Sequence, residues 1–454
     1  MTPLKKLFPF FVLLSLFALP AEGALPAWID TLQVSAGVNL SKQTPPPFWV
    51  WANQDGRQGT LSTRPSTLST LRLRLNKSPS PDKALDYNYG FDISSTNNGV
   101  VVTDVYGGLT YKKVKLTLGR KSEFFGLPDS LLSVGPEVYT RNAPTIPKIS
   151  IATNGYININ SWLAVNAYFA HGWMGQDEQV KNLYLQQKFV FLRLGGTDVD
   201  EGINFYAGAH DVCWWGGDGN PSSFSDFIKA FFAFHGGSNA SINDQIGSLG
   251  DHRGTIEFAL KYKEDMQDWL LYWQTMYEDS SGFVFIYPGD FLVGGSWINK
   301  STDSHVARIN IELLDTRKEG YNRTTTSDDI FNGQYGGWVN QGYAIGSPFI
   351  PFTQTGPNSY VAQNRVKAIS LGIMTHFSES FNPVFRIAQV EYYGNDFSYS
   401  PLLSDPTNKV LATAITNTSK LGDGWSIGQQ LFLDVSKNSK PNPAIGLSII
   451  KQFK

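Results

Sequence analysis

The sequence is poor in the features that staple soluble proteins together or give them chemistry. It has one cysteine in 454 residues, Cys213, so no internal disulfide framework or Cys-rich zinc site can form. Charged residues are only 17% of the chain, below the roughly 25% of an average globular protein. The 37 basic and 39 acidic residues nearly cancel, leaving a net charge of −2. That excludes the strongly basic surface of a nucleic-acid binder. Past residue 23 there is no apolar run of about 18 residues, the length a membrane-crossing helix needs.

Catalytic and metal signatures are also missing. There is no P-loop, dinucleotide fingerprint or G-x-S-x-G. The six histidines (His171, His210, His235, His252, His305 and His376) form no H-E-x-x-H pair or zinc spacing. The acidic group Asp198, Asp200 and Glu201 lacks the distal Glu and central Gly of a calcium loop, and reads as a solvated loop. The expectation is a protein without catalytic residues, metal or cofactor, not an enzyme. Cys213 is read as a free thiol or a buried side chain.

What the chain has is aromatic residues, 12 Trp, 20 Tyr and 30 Phe, and a strict alternation. Residues 1–23 read as a secretory signal peptide: Lys5 and Lys6, an apolar stretch from Leu7 to Leu19, then Ala21-Glu22-Gly23. After it, Leu85, Tyr87, Tyr89, Phe91 and Ile93 alternate with Asp86, Asn88, Gly90, Asp92 and Ser94. Leu71, Leu73 and Leu75 alternate with Arg72 and Arg74, and similar segments recur to Phe453. Period two puts one apolar and one polar face on each strand. Secreted sandwich domains and an outer-membrane barrel both fit this pattern. The signal peptide, the missing disulfides and the near-terminal Phe453 favour the barrel. It is expected to be all-β and antiparallel, to hold about 16–18 strands, and to occupy residues 24–454 as a single domain in the cell outer membrane, in contact with its lipid.

One segment breaks the pattern. Phe224, Phe227, Ile228, Phe231 and Phe232 have helical spacing. Asn220 is the expected cap, Pro221 the first helical residue and Gly236-Gly237 the stop. A lumen plug, the periplasmic mouth and the membrane surface are all open to this helix. Together with the long loops it is expected to help occlude the lumen.

Several segments in order resemble the capsule assembly protein Wzi family of outer-membrane barrels. The most specific runs from Leu118 to Ile151 and contains Gly119-Arg120, then Asp129, Ser133 and Gly135, then Asn142-Ala143-Pro144 and Pro147. Pro47-Phe48-Trp49 with Asn53 and Gly56 is similar to the family's opening element. Gly208–Phe232, Gly250–Tyr262 and Tyr335–Phe349 are similar to later ones. Cys213, Trp214, Tyr343 and Ala344 depart from the pattern, which implies a different polysaccharide if those positions touch the glycan.

The resemblance implies a lectin-like barrel that binds capsular or other surface polysaccharide and aids its attachment or assembly. It implies no reaction, and places the chain among clients of the barrel-assembly machinery. A porin-like or glycan-conducting channel is the alternative. Sugar rings need flat aromatic faces and fixed polar partners. The candidate contacts are therefore His210, Asp211, Trp214, Trp215 and Asp218, with Trp173, Trp297, Trp338, Asn340 and Tyr343; His171, Asp177 and Asp290 lie in the same clusters. A Trp near a strand end also suits a membrane-interface girdle.

Overall fold

The structure is a computed structural model. It describes residues 25–26, 28–58, 65–80, 82–176, 179–196, 201–278, 289–301, 303–318, 331–333, 335–355, 358–395 and 403–453. The expected signal peptide, Asp177, Asp198 and Asp200 lie outside the described residues.

The chain forms a closed antiparallel barrel of 18 strands. In order these are β1 (Thr31–Ser41), β2 (Thr67–Lys77), β3 (Leu85–Thr96), β4 (Gly99–Tyr111), β5 (Val114–Arg120) and β6 (Lys148–Thr153). Then come β7 (Leu163–Trp173), β8 (Tyr184–Gly195), β9 (Gly202–Trp215), β10 (Asp251–Lys263), β11 (Gln267–Glu278) and β12 (Phe291–Asn299). The last six are β13 (Val306–Asp315), β14 (Val366–Thr375), β15 (Val384–Tyr392), β16 (Asn408–Gly422), β17 (Trp425–Ser436) and β18 (Ser439–Phe453). Each strand pairs with the next, and β1 closes on β18 in a register from Leu32↔Phe453 to Ser41↔Ala444.

The burial is inverted relative to a soluble protein. On β3, Asp86, Asn88, Asp92 and Ser94 are buried while Leu85 is 60% exposed and Tyr87 46%. Leu116, Leu118, Val190, Ile311, Ile369, Leu431 and Leu447 are exposed likewise around the whole circumference. An apolar outer wall around a polar lumen needs lipid as its solvent, and closure leaves no unpaired edge in it. The protein is therefore an outer-membrane barrel.

An even number of strands puts both chain ends at one rim. There the connections are short, such as 112–113, 264–266 and 423–424. The long ones, 42–66, 121–147, 216–250 and 316–365, are all at the other rim. Since long loops of such barrels face outward, the rim with the chain ends is periplasmic. Trp269 and Trp297, their rings 6.4 Å apart, stand on the outer wall near that rim, where an aromatic girdle belongs.

Three of the long connections turn into the lumen and build a packed plug. The 121–147 connection crosses from β5 and β6 to the opposite wall. Leu127 N–H donates to Glu257 Oε2 on β10 at 2.7 Å. Asp129 pairs with Arg308 on β13 at 2.9 Å. Ser133 Oγ and Val134 N–H both donate to Glu312. Against this strut lie residues 42–58, 331–333 and 335–355. Trp338 Nε1 donates to Val138 O at 2.8 Å, Asn340 Nδ2 to Pro144 O at 2.7 Å, and Tyr343 OH to Gly56 O at 2.8 Å. Phe48, Trp49, Val138, Tyr139, Ile345 and Phe349 form its apolar core.

The motif residues of the strut have local reasons. Gly119 has φ +124°, and a Cβ there would meet Val105 O. The Arg120 guanidinium donates to Thr145 O. Asp129 accepts from Leu131 and Leu132 N–H. Gly135, at φ +112°, donates to Ser133 Oγ. Asn142 Nδ2 donates to Ala344 O, beside the buried Ala143. Pro144 packs on Gly56, and Pro147 O accepts from Trp173 N–H.

The segment 216–250 does not join the plug, which corrects the expectation that 221–235 fills the lumen. Its helix α2 (Phe224–Phe232) lies on the outer wall at the extracellular side; α1 is the short Phe48–Trp51 turn in the plug. Phe227 packs on Phe169, His171 and Trp215, all outward on their strands. The helix also begins later than expected. Ser223 is its N-cap, in a capping box with Asp226, and Ala233 in the left-handed region ends it. Ser223 and Asp226 satisfy two N-terminal N–H groups at once, which Asn220 ahead of Pro221 does not.

Candidate functional site

Helix α1 stands between two of the cavities left in the lumen. Its four residues turn back because Phe48 N–H donates to Asp434 Oδ2 at 2.8 Å and Trp49 Nε1 to Ala412 O at 3.2 Å. This stands Phe48 and Trp51 on one side and Trp49 on the other.

The cavity on the extracellular side has a volume of about 450 Å³. Its walls include Phe48, Trp51, Phe352 and Tyr392, with Asn142 and Asp434 as polar groups. Phe48 stacks on Phe349 at 5.1 Å and meets Trp51 edge-on at 5.1 Å, so these rings are held in place.

The cavity below α1 has about 410 Å³ and gathers four guanidinium groups, Arg57, Arg72, Arg141 and Arg386, beside Trp49, Gln54 and Gln430. Arg57 and Arg141 share Asp55, at 3.3 and 3.2 Å. Arg72 forks onto Asp92. Arg386 has no carboxylate among the described residues. It donates to Leu131 O at 3.0 Å and lies 6.0 Å from the Trp49 ring. Burial, with Arg72 nearby, lowers the Arg57 guanidinium to about 10, still protonated at neutral pH. Asp104 adds a third nearby carboxylate, so four cations against three carboxylates leave the cavity positive. Guanidinium forks match carboxylate or phosphate oxygens bidentately and donate readily to hydroxyls. Among the described residues no group of His, Cys, Asp and Glu is arranged to hold a metal.

The residues singled out from the sequence go elsewhere. His210, Trp214, Trp338, Asn340 and Tyr343 are buried in the plug and its wall. The Trp214 and Trp338 rings pack 4.6 Å apart, and His210 Nε2 lies 3.0 Å from Gln187 Nε2. Asp211 and Trp215 are buried too, but on the outer side of β9 beneath α2. The expected single cluster His210–Asp211–Trp214–Trp215 is therefore split by the barrel wall, because successive side chains of a strand point to opposite faces. His171 and Trp173 are also on the outer face. Trp297 is on the periplasmic girdle, far from the extracellular loops, with Nε1 donating to Gln267 Oε1 at 2.9 Å. Asp290 is buried and accepts from Lys318 N–H at 2.8 Å. Asp218 is exposed in an extracellular loop and accepts from Asn182 Nδ2 at 2.8 Å. The structure thus brings none of these residues together around either of the cavities beside α1; Tyr343 borders a separate small cleft of about 320 Å³ with Arg120 and Gln341.

Sequence reasoning missed the arginines. Arg72 sits on the polar face of an alternating segment, so its luminal direction was readable. That Arg57, Arg141 and Arg386 converge on it depends on where the plug folds, which alternation does not encode.

No protein-family model matches the chain, and no curated protein is significantly similar to it in sequence. Its structure is similar to that of Wzi of Escherichia coli, described as an outer-membrane protein involved in group 1 capsule assembly and a carbohydrate-binding β-barrel. The TM-score is 0.59 at 14% identity, over 92% of this chain and 83% of that one. OpdQ of Pseudomonas aeruginosa aligns at a TM-score of 0.44 and 9% identity, over 93% and 97% of the two chains. OmpF of Salmonella typhi aligns at 0.45 and 8%, over 94% and 97%. At such identities the likeness is one of fold, and the fold is that of a Wzi-like outer-membrane barrel.

Proposed function

We propose that this Wzi-like outer-membrane barrel is a lectin-like protein that binds capsular or other surface polysaccharide and aids its attachment or assembly at the cell surface. The observation that carries the proposal is the plug. Three connections are interlocked by hydrogen bonds and a shared apolar core across the lumen. A conducting barrel keeps a water-filled path instead. Two further features support binding. Fixed rings line the extracellular cavity, where they can cover sugar C–H faces. Guanidinium groups line the cavity beneath α1 and can pair with hydroxyl or carboxylate oxygens.

The test is a label-free titration of the folded, detergent-purified protein with polysaccharide from its own host, beside an unrelated acidic polysaccharide. Binding is expected to be selective and saturable, and Trp51→Ala with Arg386→Ala to weaken it about tenfold, some 1.4 kcal/mol. No binding by a preparation that migrates as a folded barrel, with steady conductance in a planar bilayer, would replace this proposal with a channel.

A further inference from the structure

The outer wall under α2 carries a feature that a lipid-facing surface ordinarily excludes. Lys188 on β8, Asp211 on β9, His252 on β10 and Tyr277 on β11 all point outward and converge. Lys188 Nζ donates to Asp211 Oδ2 at 2.6 Å. His252 Nδ1 lies 3.2 Å from the same oxygen, and Tyr277 OH donates to Asp211 Oδ1 at 3.3 Å. A charged side chain on the lipid face of a barrel is destabilising, most of all at mid-bilayer. Here the charges neutralise one another and α2 roofs them. Phe231 lies over Lys188 at 5.4 Å, and Gln186 Nε2 ties the wall to Phe227 O at 3.1 Å.

The roof is itself apolar on its far side. Phe224 is 79% exposed, and Ile242 and Ile246 of the next short helix are exposed with it, while Phe232 borders the groove beneath. A water-facing loop has no reason for such a face, whereas a helix lying in the plane of the outer leaflet does.

Between roof and wall a groove of about 630 Å³ remains. Ile151, Ala167, Val190, Ala209 and Phe231 supply its carbon surface, and Lys188 with Asp211 stands at its polar end. Ile151 and Val190 also belong to the outward apolar wall, so the groove is continuous with the surface that bilayer chains already cover. Water filling it would find few polar partners.

We propose that this groove holds an acyl chain of an outer-leaflet glycolipid of the lipopolysaccharide type. Its polar end lies beneath α2, part of an extracellular connection, and so toward the leaflet where that lipid resides, while its apolar lining continues to Val114 and Thr153. The proposal does not depend on the polysaccharide-binding function.

The test reconstitutes the full-length protein in vesicles containing a glycolipid with a photoactivatable group on one acyl chain, and maps the crosslinks by mass spectrometry. Crosslinks at Val190, Ala209 and Phe231 are expected to exceed those at the far-wall positions Ile369 and Leu431 at least about fivefold. Ala209→Phe, which fills the groove, is expected to erase the excess, while heat-modifiable migration shows that the barrel is still folded. Uniform labelling around the barrel, or an excess that Ala209→Phe leaves intact, would overturn the proposal. So would a phospholipid bearing the same photoactivatable chain, if it labelled the groove as strongly as the glycolipid.

Discussion

Two long connections leave the same rim and end in opposite solvents. The 121–147 strut goes inside, and 216–250 goes outside. The strut exposes little and is held by charge: Asp129 to Arg308, and Ser133 and Val134 to Glu312. The outer segment is held by rings, Phe227 and Phe231 on Phe169, and turns further rings to the bilayer. A polar lumen rewards a loop that brings fixed hydrogen-bond partners, whereas a lipid-facing wall rewards one that brings carbon on both sides. A long loop in such a barrel is sorted by which of the two it carries.

The largest effect is expected where the strut is latched. Asp129→Ala leaves Arg308 without its carboxylate and removes the acceptor for two N–H groups. Breaking a buried pair costs about 3–5 kcal/mol. The plug should loosen while the barrel stays closed, so thermal scans should gain an early transition and bilayers should show new conductance. An unchanged scan and a silent bilayer would mean that the strut is held by its apolar contacts instead.

A smaller change tests the cost of charge inside. Among the described residues, both carboxylate oxygens of buried Glu137 lack a hydrogen-bond partner. Burial, then the negative charges of Asp290 and Glu257, pushes its acid well above the ordinary 4.5. A raised acid holds its proton in the folded state, so folding stability is full below about 4.5 and falls as pH rises from there towards the folded value. Glu137→Gln should remove that slope and stabilise the plug at neutral pH by about 1–2 kcal/mol. Melting temperatures of both proteins at acid and neutral pH measure this; parallel curves would refute it.

The smallest effect belongs to the outer segment. Ser223→Ala removes the cap of α2 and should cost about 1 kcal/mol. Hydrogen exchange should quicken at residues 224–232 and nowhere in the strut. Quickening in both would mean that the two connections are coupled through the wall.

The barrel was legible because alternation is a local property that every strand repeats: Asp86 and Asn88 against Tyr87 needed no tertiary information. The helix of 216–250 was legible from its spacing, but its side of the wall was not, since a face of phenylalanines suits a core and a bilayer equally. The binding candidates fared worst. His210, Asp211, Trp214 and Trp215 are neighbours in the sequence, yet they end a 14-residue strand, and the rule that exposes the barrel also separates them. The arginines beneath α1 come from four distant segments, so only the folded plug brings them together.

The closing seam has a consequence for the order of events in folding. Leu32 meets Phe453, and Ser41 meets Ala444, so the first strand's second partner is the eighteenth. Until β18 arrives, the growing sheet has two free edges, each with a row of unsatisfied N–H and C=O groups that a bilayer cannot hydrate. Loop closure over so long a span is slow. Insertion therefore cannot proceed strand by strand into bare lipid. Either closure precedes entry, or another surface must cover both edges while the chain is completed.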